Sequence, residues 1–348
     1  MADFRVAVAG ATGLVGRTIL GVLEERHFPA GAIVLLASER SAGVSILFRG
    51  EAVEVRRLDE NSFEACDIAF FSAGAVVSRE FAPVAARAGA LVIDNSSAFR
   101  MQPGIPLVVP EVNGDVLPRH LEPTIIANPN CSTIQMVVAL EPLHKAFGLQ
   151  DVVVSTYQSV SGSGGKGVRA LDTEIEQQTR AKDSPYPHPI AFNVLPHIDA
   201  FDEAGWTGEE RKMINETRKI MRLPGLHVVP TTVRVPVRVG HAETVYARFA
   251  TPAPASEARE ALRRAPGMVV CDDPSRNLYP LPRDAEGHDQ VFVGRLRNDP
   301  DDPSALAFWV VADNIRKGAA TNAVQIAERV VAGHAWSPSL SDTVPSSP

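Results

Sequence analysis

The chain is predicted to be an α/β protein in two parts, a doubly wound parallel sheet followed by an α+β domain. Three observations predict this. Strand-like and helix-like segments alternate through the first third, and a glycine-rich turn joins the first strand to the first helix. From about residue 151 the texture changes to several strands separated by only two or three helical segments. With 348 residues, 45 % of them hydrophobic and 22 % charged, the chain is long enough for two cores.

The elements follow in order. "RVAVA" (5–9) is a β-rich run, "LVGRTILGVLEER" (14–26) repeats apolar residues at helical spacing, and "AIVLLAS" (32–38) is again a buried-strand run, which together make a βαβ unit. "DIAFFSAG" (67–74), a helical "REFAPVAARAGA" (79–90) and "ALVIDNSS" (90–97) continue the alternation. In the second part "DVVVSTYQSV" (151–160), "HVVPTTVRVPVRV" (227–239), "ETVYARFA" (243–250) and "ALAFWVVAD" (305–313) read as strands. The expected division is a first domain over 1–127, to which an amphipathic segment within 315–333 returns, and a second over 128–314. Residues 334–348, "HAWSPSLSDTVPSSP", have a disordered composition.

Composition also excludes classes of function. No apolar run approaches the roughly 18 residues of a membrane span, and "MADFRVAVAG" enters a strand without a signal-peptide pattern, so a cytoplasmic protein without membrane contact is expected. Three widely spaced cysteines, Cys66, Cys131 and Cys271, form neither a disulfide framework nor a CxxC metal pair, which fits a reducing compartment. The net charge of -7 argues against a nucleic-acid partner. His188, His197 and Asp199 in "HPIAFNVLPHID" lie at spacings that suit no common metal site, and no metal is expected.

The glycine turn is "GATGLVG" (10–16). Directly after a strand and opening a helix, it can let a pyrophosphate approach the backbone and meet the free N–H groups of the helix start, so a dinucleotide is expected there in a Rossmann-like domain. The end of the second strand decides which one. "SERS" offers Ser38, Arg40 and Ser41 to a 2′-phosphate, which favours NADP, although Glu39 is the kind of acid that binds an unphosphorylated ribose and Arg40 alone reads equally as a solvated charge.

Cys131 follows the turn-forming Asn128-Pro129-Asn130 and precedes a helical run. At a helix start the dipole and unpaired N–H groups favour a thiolate, whereas a lone cysteine is more often a packing residue; the residues alone leave both readings open.

"GATGLVG", "ASERSAG", "DNSSAFR", "VVPEVN", "NPNCST", "YQSVSGSG", "HPIAFNVLPHID", "EERKMINETRKIM", "RVPVRVGHAE", "NLYPLP", "VGRLR" and "DNIRKGAATNAVQIAE" stand in an order that resembles the aspartate-semialdehyde dehydrogenases over about residues 4 to 330. The resemblance implies a plan like that of glyceraldehyde-3-phosphate dehydrogenase, with an NADP-binding domain and a catalytic and dimerisation domain. It also implies NADPH-dependent formation of L-aspartate 4-semialdehyde from L-aspartyl 4-phosphate, a step feeding lysine, diaminopimelate, threonine and methionine synthesis. The neighbouring reading is N-acetyl-γ-glutamyl-phosphate reductase, which shares plan and chemistry; a catalytically silent NADP-binding paralogue is the third.

The resemblance assigns roles by position. Cys131 matches the nucleophile, His241 the acid/base and Gln158 the glutamine that orients substrate and acyl intermediate. Arg234 matches the clamp on the α-carboxylate. On a continuous strand 234, 236 and 238 would share a face, so Arg238 competes with it. Arg100 and Lys212, with Asn130, match the phosphate site, and Glu209 an amine contact or a partner for Lys212; as bare sequence that helix is an ordinary solvated one. Cofactor contacts are implied at Gly10, Thr12, Gly13, Leu14, Val15, Ser38, Arg40, Ser41, Ser72, Ala73, Gly74, Ser161, Gly162 and Asn314. Ala75 and Val76 replace the family's usual glycine and serine. A homodimer or dimer of dimers, with small-molecule substrate and inorganic phosphate, completes the expectation.

Overall fold

The structure is a computed structural model that describes residues 3–332, so the tail expected to be disordered lies outside the described residues. It divides into two compact units. One comprises the residues up to Asn130 together with those from Gly318 onward, the other Cys131–Lys317.

The first unit is built on a seven-stranded sheet. Its strands are β1 (Phe4–Ala9), β2 (Ala30–Ala37), β3 (Ser45–Phe48), β4 (Glu51–Arg57), β5 (Ile68–Phe71), β6 (Leu91–Asp94) and β7 (Thr124–Ala127), in the order β3-β4-β2-β1-β5-β6-β7. Every pair is parallel except β3 with β4. The central strands are buried on both faces, and their sequences are therefore continuous apolar runs rather than alternating ones. Helix α1 (Leu14–Glu25) buries Gly16, Ile19, Leu20, Val22 and Leu23, one stripe at helical spacing. Helix α2 (Ala75–Arg87) and the single turn α3 (Pro110–Asn113) follow. The C-terminal helix, Thr321–Ala332, places Ala323, Val324 and Ala327 in the same core as Val6, Val8, Leu35 and Ile93, and Glu328 accepts two hydrogen bonds of 2.8 Å from the Arg26 guanidinium. Strand β1 lies between β2 and β5, so the winding reverses there. A crevice outside the carboxyl ends of β1 and β5 is the consequence.

The second unit is a six-stranded sheet of β8 (Leu149–Gln158), β9 (His227–Arg234), β10 (His241–Phe249), β11 (Met268–Val270), β12 (Val291–Asn298) and β13 (Ala305–Ala312), ordered β11-β12-β13-β10-β8-β9. Helix α4 (Cys131–Phe147) is buried almost all round from Ser132 to Leu140 and packs on β8, β10, β12 and β13. Helices α5 (Gly164–Gln177), α6 (Gly208–Ile220) and α7 (Ala255–Arg263) lie between the strands in sequence. Among the described residues no helix is long and apolar enough to cross a membrane.

Several boundaries correct the sequence reading. The strand expected over 227–239 ends at Arg234, because Pro236 has no N–H for a ladder and the chain turns so that Val237 and Arg238 carbonyls accept from Val160 and Ser161. Arg238 therefore does not share a strand face with Arg234; it is exposed and paired with Asp172 at 2.8 Å. The strand expected over 67–74 stops at Phe71, and the helix expected from 79 begins at Ala75, since Gly74 at φ 90° can serve as its N-cap. The hairpin of β3 and β4, the strands β7, β11 and β12, and helix α7 were not anticipated.

Candidate active site

Sheet register gathers the candidates of the second unit. Parallel pairing sets Gln158 opposite Arg234 at the ends of β8 and β9, and antiparallel pairing sets Ala242 opposite Tyr157 and His241 opposite Ala312. Gln158, Arg234, His241 and Asn314, two residues beyond β13, thus collect at one end of one sheet.

Helix α6 brings charge to the same end. Thr207 and Glu210 close its N-terminus with a reciprocal capping box, and Glu210 also accepts from the Thr232 N–H, which ties the helix to β9. Glu209 and Lys212, three apart, then lie on one face. Glu209 accepts from the Gln158 amide at 3.0 Å and from Lys212 at 3.2 Å, while Lys212 also reaches Asp199 at 2.8 Å. Burial works against the Lys212 charge, but Glu209 and Asp199 outweigh it and hold its pKa above the ordinary lysine value. Thr156 donates to the Gln158 carbonyl oxygen at 3.2 Å, so both ends of that amide are oriented.

His241 is fully buried. Its Nδ1 accepts the main-chain N–H of Ser159 at 3.0 Å, and the Ser159 hydroxyl stands 3.0 Å from the same nitrogen. Burial first, then the Arg234 charge, depress its pKa to about 3, against a weaker upward pull from Glu209 and the Gly240 backbone. The imidazole is neutral. Arg234, also buried, donates from Nη1 to the Ser159 carbonyl at 2.6 Å and lies over the Tyr186 ring with its guanidinium carbon 6.0 Å from the centroid. Gly162 is pressed against both groups. A Cβ there would stand 2.6 Å from Arg234 Nη1 and 3.2 Å from His241 Nε2. Asn314 is a hub, its Oδ1 accepting from Gly240 N–H and lying 3.0 and 3.1 Å from the hydroxyls of Ser159 and Ser161. Ser159 is the participant that sequence reasoning missed; an unremarkable serine, it was signalled only by following Gln158.

Cys131 is the first residue of α4 and half-buried, a thiol outside any disulfide at the helix N-terminus. Cys66 and Cys271 are held above their usual thiol values by burial. Asn130 and Arg100 belong to the first unit, both buried; Arg100 donates to the carbonyls of Asn128 at 2.9 Å and Asn95 at 2.8 Å.

The glycine candidates of the first unit surround the crevice at β1 and β5. Gly10, at φ 87°, approaches Ser72 so closely that a Cβ would stand 2.8 Å from its carbonyl, and a Cβ on Gly16 would stand 2.2 Å from the Gly10 oxygen. Gly13 is the N-cap of α1 and Gly74 that of α2, neither with a side-chain cap, while Thr12, Leu14 and Val15 form the turn and first helical residues between. Ser72 and Ala73 lead from β5 into α2, where Val76 is exposed. Ser38, Arg40 and Ser41 lie at the exit of β2, Ser38 and Arg40 exposed, and Glu39 faces Arg57 at 3.9 Å.

A doubly wound unit with two glycine loops at its switch point, joined in one chain to an α+β unit with a helix-terminal thiol, defines the two-domain dinucleotide-binding dehydrogenase class. Comparison with known proteins agrees. Residues 5–120 match the family described as semialdehyde dehydrogenase, NAD binding domain, and residues 140–317 its dimerisation domain. The aspartate-semialdehyde dehydrogenase of Aquifex aeolicus is 54 % identical over 333 residues, covering 94 % of this chain and 98 % of its own. The crystal structure of aspartate semialdehyde dehydrogenase II from Vibrio cholerae, complexed with ASA, superposes with a TM-score of 0.89 at 47 % identity over 94 % of this chain and 98 % of that one. The Candida albicans enzyme, solved with NADP, gives 0.74 at 27 % identity, covering 94 % and 98 %. The chain belongs to the aspartate-semialdehyde dehydrogenase family.

Proposed function

We propose that this protein catalyses the reversible NADP-dependent reductive dephosphorylation of L-aspartyl 4-phosphate to L-aspartate 4-semialdehyde. One observation carries the reading: a thiol opening α4 belongs to the same folded unit as a buried neutral imidazole and a buried guanidinium that share the backbone of Ser159.

The residues support each step. The N-terminus of α4 favours the thiolate of Cys131, which attacks the acyl carbon; the bond from that carbon to the phosphate oxygen breaks, leaving a thioester. The reduced cofactor, NADPH, would supply the hydride that this thioester accepts and would leave as NADP+. Collapse of the resulting tetrahedral adduct breaks the carbon–sulfur bond, returns the electron pair to Cys131 and frees the aldehyde. His241 serves the reacting oxygen, and Gln158, anchored by Glu209 and Thr156, orients the acyl group. Arg234 is suited to the α-carboxylate because its planar fork is already oriented. Glu209 suits the free α-amine, a feature that favours aspartyl over an acetylated glutamyl substrate. The family pattern assigns Lys212 of the second unit, and Arg100 and Asn130 of the first, to the phosphate.

The residues of the first unit fit the cofactor. Gly10 and Gly74 lack the side chains that would fill the switch-point crevice, α1 and α2 begin without side-chain caps, and Ser38, Arg40 and Ser41 meet the 2′-phosphate. In the second unit, Ser161, Gly162 and Asn314 are the positions that the family pattern assigns to the cofactor, and they lie together around Ser159 and His241. The proposal extends to a cytoplasmic homodimer or dimer of dimers. Its test is NADP reduction by aspartate semialdehyde, expected to require inorganic phosphate and to vanish in Cys131→Ala. Equal turnover without phosphate, or full turnover by that variant, refutes it.

A further inference from the structure

Helix α5 ends where Gln178 adopts φ 54° and gives its N–H to the main-chain carbonyl of Glu174 at 3.0 Å. The Glu174 side chain is buried, only 2 % exposed. A carboxylate withdrawn from water needs donors in place of the water. Glu174 finds three, all of them main-chain N–H groups: Ala181 gives to Oε1 at 3.3 Å, and Ile190 and Ala191 give to Oε2 at 2.6 and 3.0 Å. One carboxylate thus ties together the two ends of the loop "AKDSPYPHPI" (181–190), in which only Ala181, Tyr186 and Ile190 are buried. Those three share a small core with Val160, Ala170, Leu171 and Leu195.

Tyr186 is what the loop delivers. Its hydroxyl donates to the Val160 carbonyl at 3.3 Å, and Gly167 on α5 leaves the space, since a Cβ there would stand 2.6 Å from that hydroxyl. Its ring faces the Arg234 guanidinium, whose central carbon is 6.0 Å from the centroid. Arg234 donates from Nη1 to the carbonyl of Ser159, the residue before Val160, while its Nε has no partner among the described residues. A single hydrogen bond does not fix the plane of a guanidinium, and the aromatic face supplies the missing restraint. The chain leaving the loop holds the arginine's backbone as well, with Leu195 and Arg234 exchanging both main-chain hydrogen bonds at 2.8 and 2.9 Å.

We propose that Glu174 is a positioning residue for substrate binding, gathering the 181–191 loop so that Tyr186 holds the Arg234 guanidinium in the plane that receives the substrate's α-carboxylate. This rests on the function proposed above. A glutamine cannot replace it: with one oxygen and an NH2 group, it would leave one of the two sets of N–H groups facing a donor.

The test combines kinetics with hydrogen exchange. Glu174→Gln should raise KM for the semialdehyde roughly 3- to 30-fold, with kcat and the KM for NADP little changed. Tyr186→Leu, which keeps Glu174 and removes the ring, should raise the same KM at least as far, and the two substitutions together no further. An unmoved KM in either variant, a fall in kcat alone, or additive effects overturn the proposal. Exchange read by mass spectrometry on peptides covering 181–191 should show protected amides in the unmodified protein and loss of that protection in Glu174→Gln. Free exchange in the unmodified protein overturns the anchoring even where the Glu174 variant cannot be obtained folded. If the unmodified protein has no dehydrogenase activity, the functional reading fails, while exchange still decides whether Glu174 holds the loop.

Discussion

Glu243 shares its strand with His241, two residues on, and is as deeply buried. Among the described residues its carboxyl oxygens meet no donor beyond a weak approach of the Gln135 amide, and burial lifts its pKa well above the ordinary 4.5 against the lowering pull of that amide. A carboxyl raised in this way stays protonated in the folded protein while the unfolded chain ionises above 4.5, so stability falls as pH rises beyond that value. Glu243→Gln, neutral in both states, is therefore expected to raise Tm by a few degrees at pH 8, with the difference disappearing at pH 4. Scanning calorimetry at the two pH values checks it; a lower Tm at pH 8 contradicts a protonated Glu243. At this scale the sequence was informative for residue type and weak for environment. Cys131, Gln158, Arg234 and His241 were expected through a family pattern, yet nothing in "YQSVSG" tells that the serine after Gln158 donates its N–H to an imidazole more than eighty positions away, because that contact is made by the pairing of β8 with β10.

Among the elements, α6 shows how local chemistry places a charged face. Its capping box fixes where the helix begins, and the start fixes which residues turn towards Gln158. Thr207→Ala should cost about 1 kcal/mol. Thermal unfolding is expected to report the loss as a Tm lower by a few degrees, and an unchanged Tm would deny the cap its part. The same comparison explains what could be read in advance. α1 was legible because its apolar stripe follows a glycine turn, and β1 because it is a continuous buried run. The β3–β4 hairpin was not, since "SILFRGEAVEVRR" turns at Arg49-Gly50, both at positive φ, without the Asn-Gly that usually advertises such a turn. Strand β9 was overestimated because alternation persists through Pro236 after hydrogen bonding has moved to β8's exit, a switch that only tertiary structure reveals.

For the whole molecule, the two-part plan was visible as a change of texture, whereas the place where the chain passes from one unit to the other, beside Cys131 and again beside Lys317, has no compositional mark. The match of residues 140–317 to a dimerisation domain gives the assembly its expectation. Sedimentation should find two or four chains of 37.3 kDa. A monomer at assay concentration that turns over fully would remove the dimer from the account.

Gly162 carries a final consequence. Its missing side chain is space already taken by the tip of Arg234 and the edge of His241, so enlargement would push Arg234 off the Ser159 carbonyl. On the function proposed above, a codon that drifts from glycine there is expected to raise KM for the semialdehyde, a defect that a screen for abundance does not read.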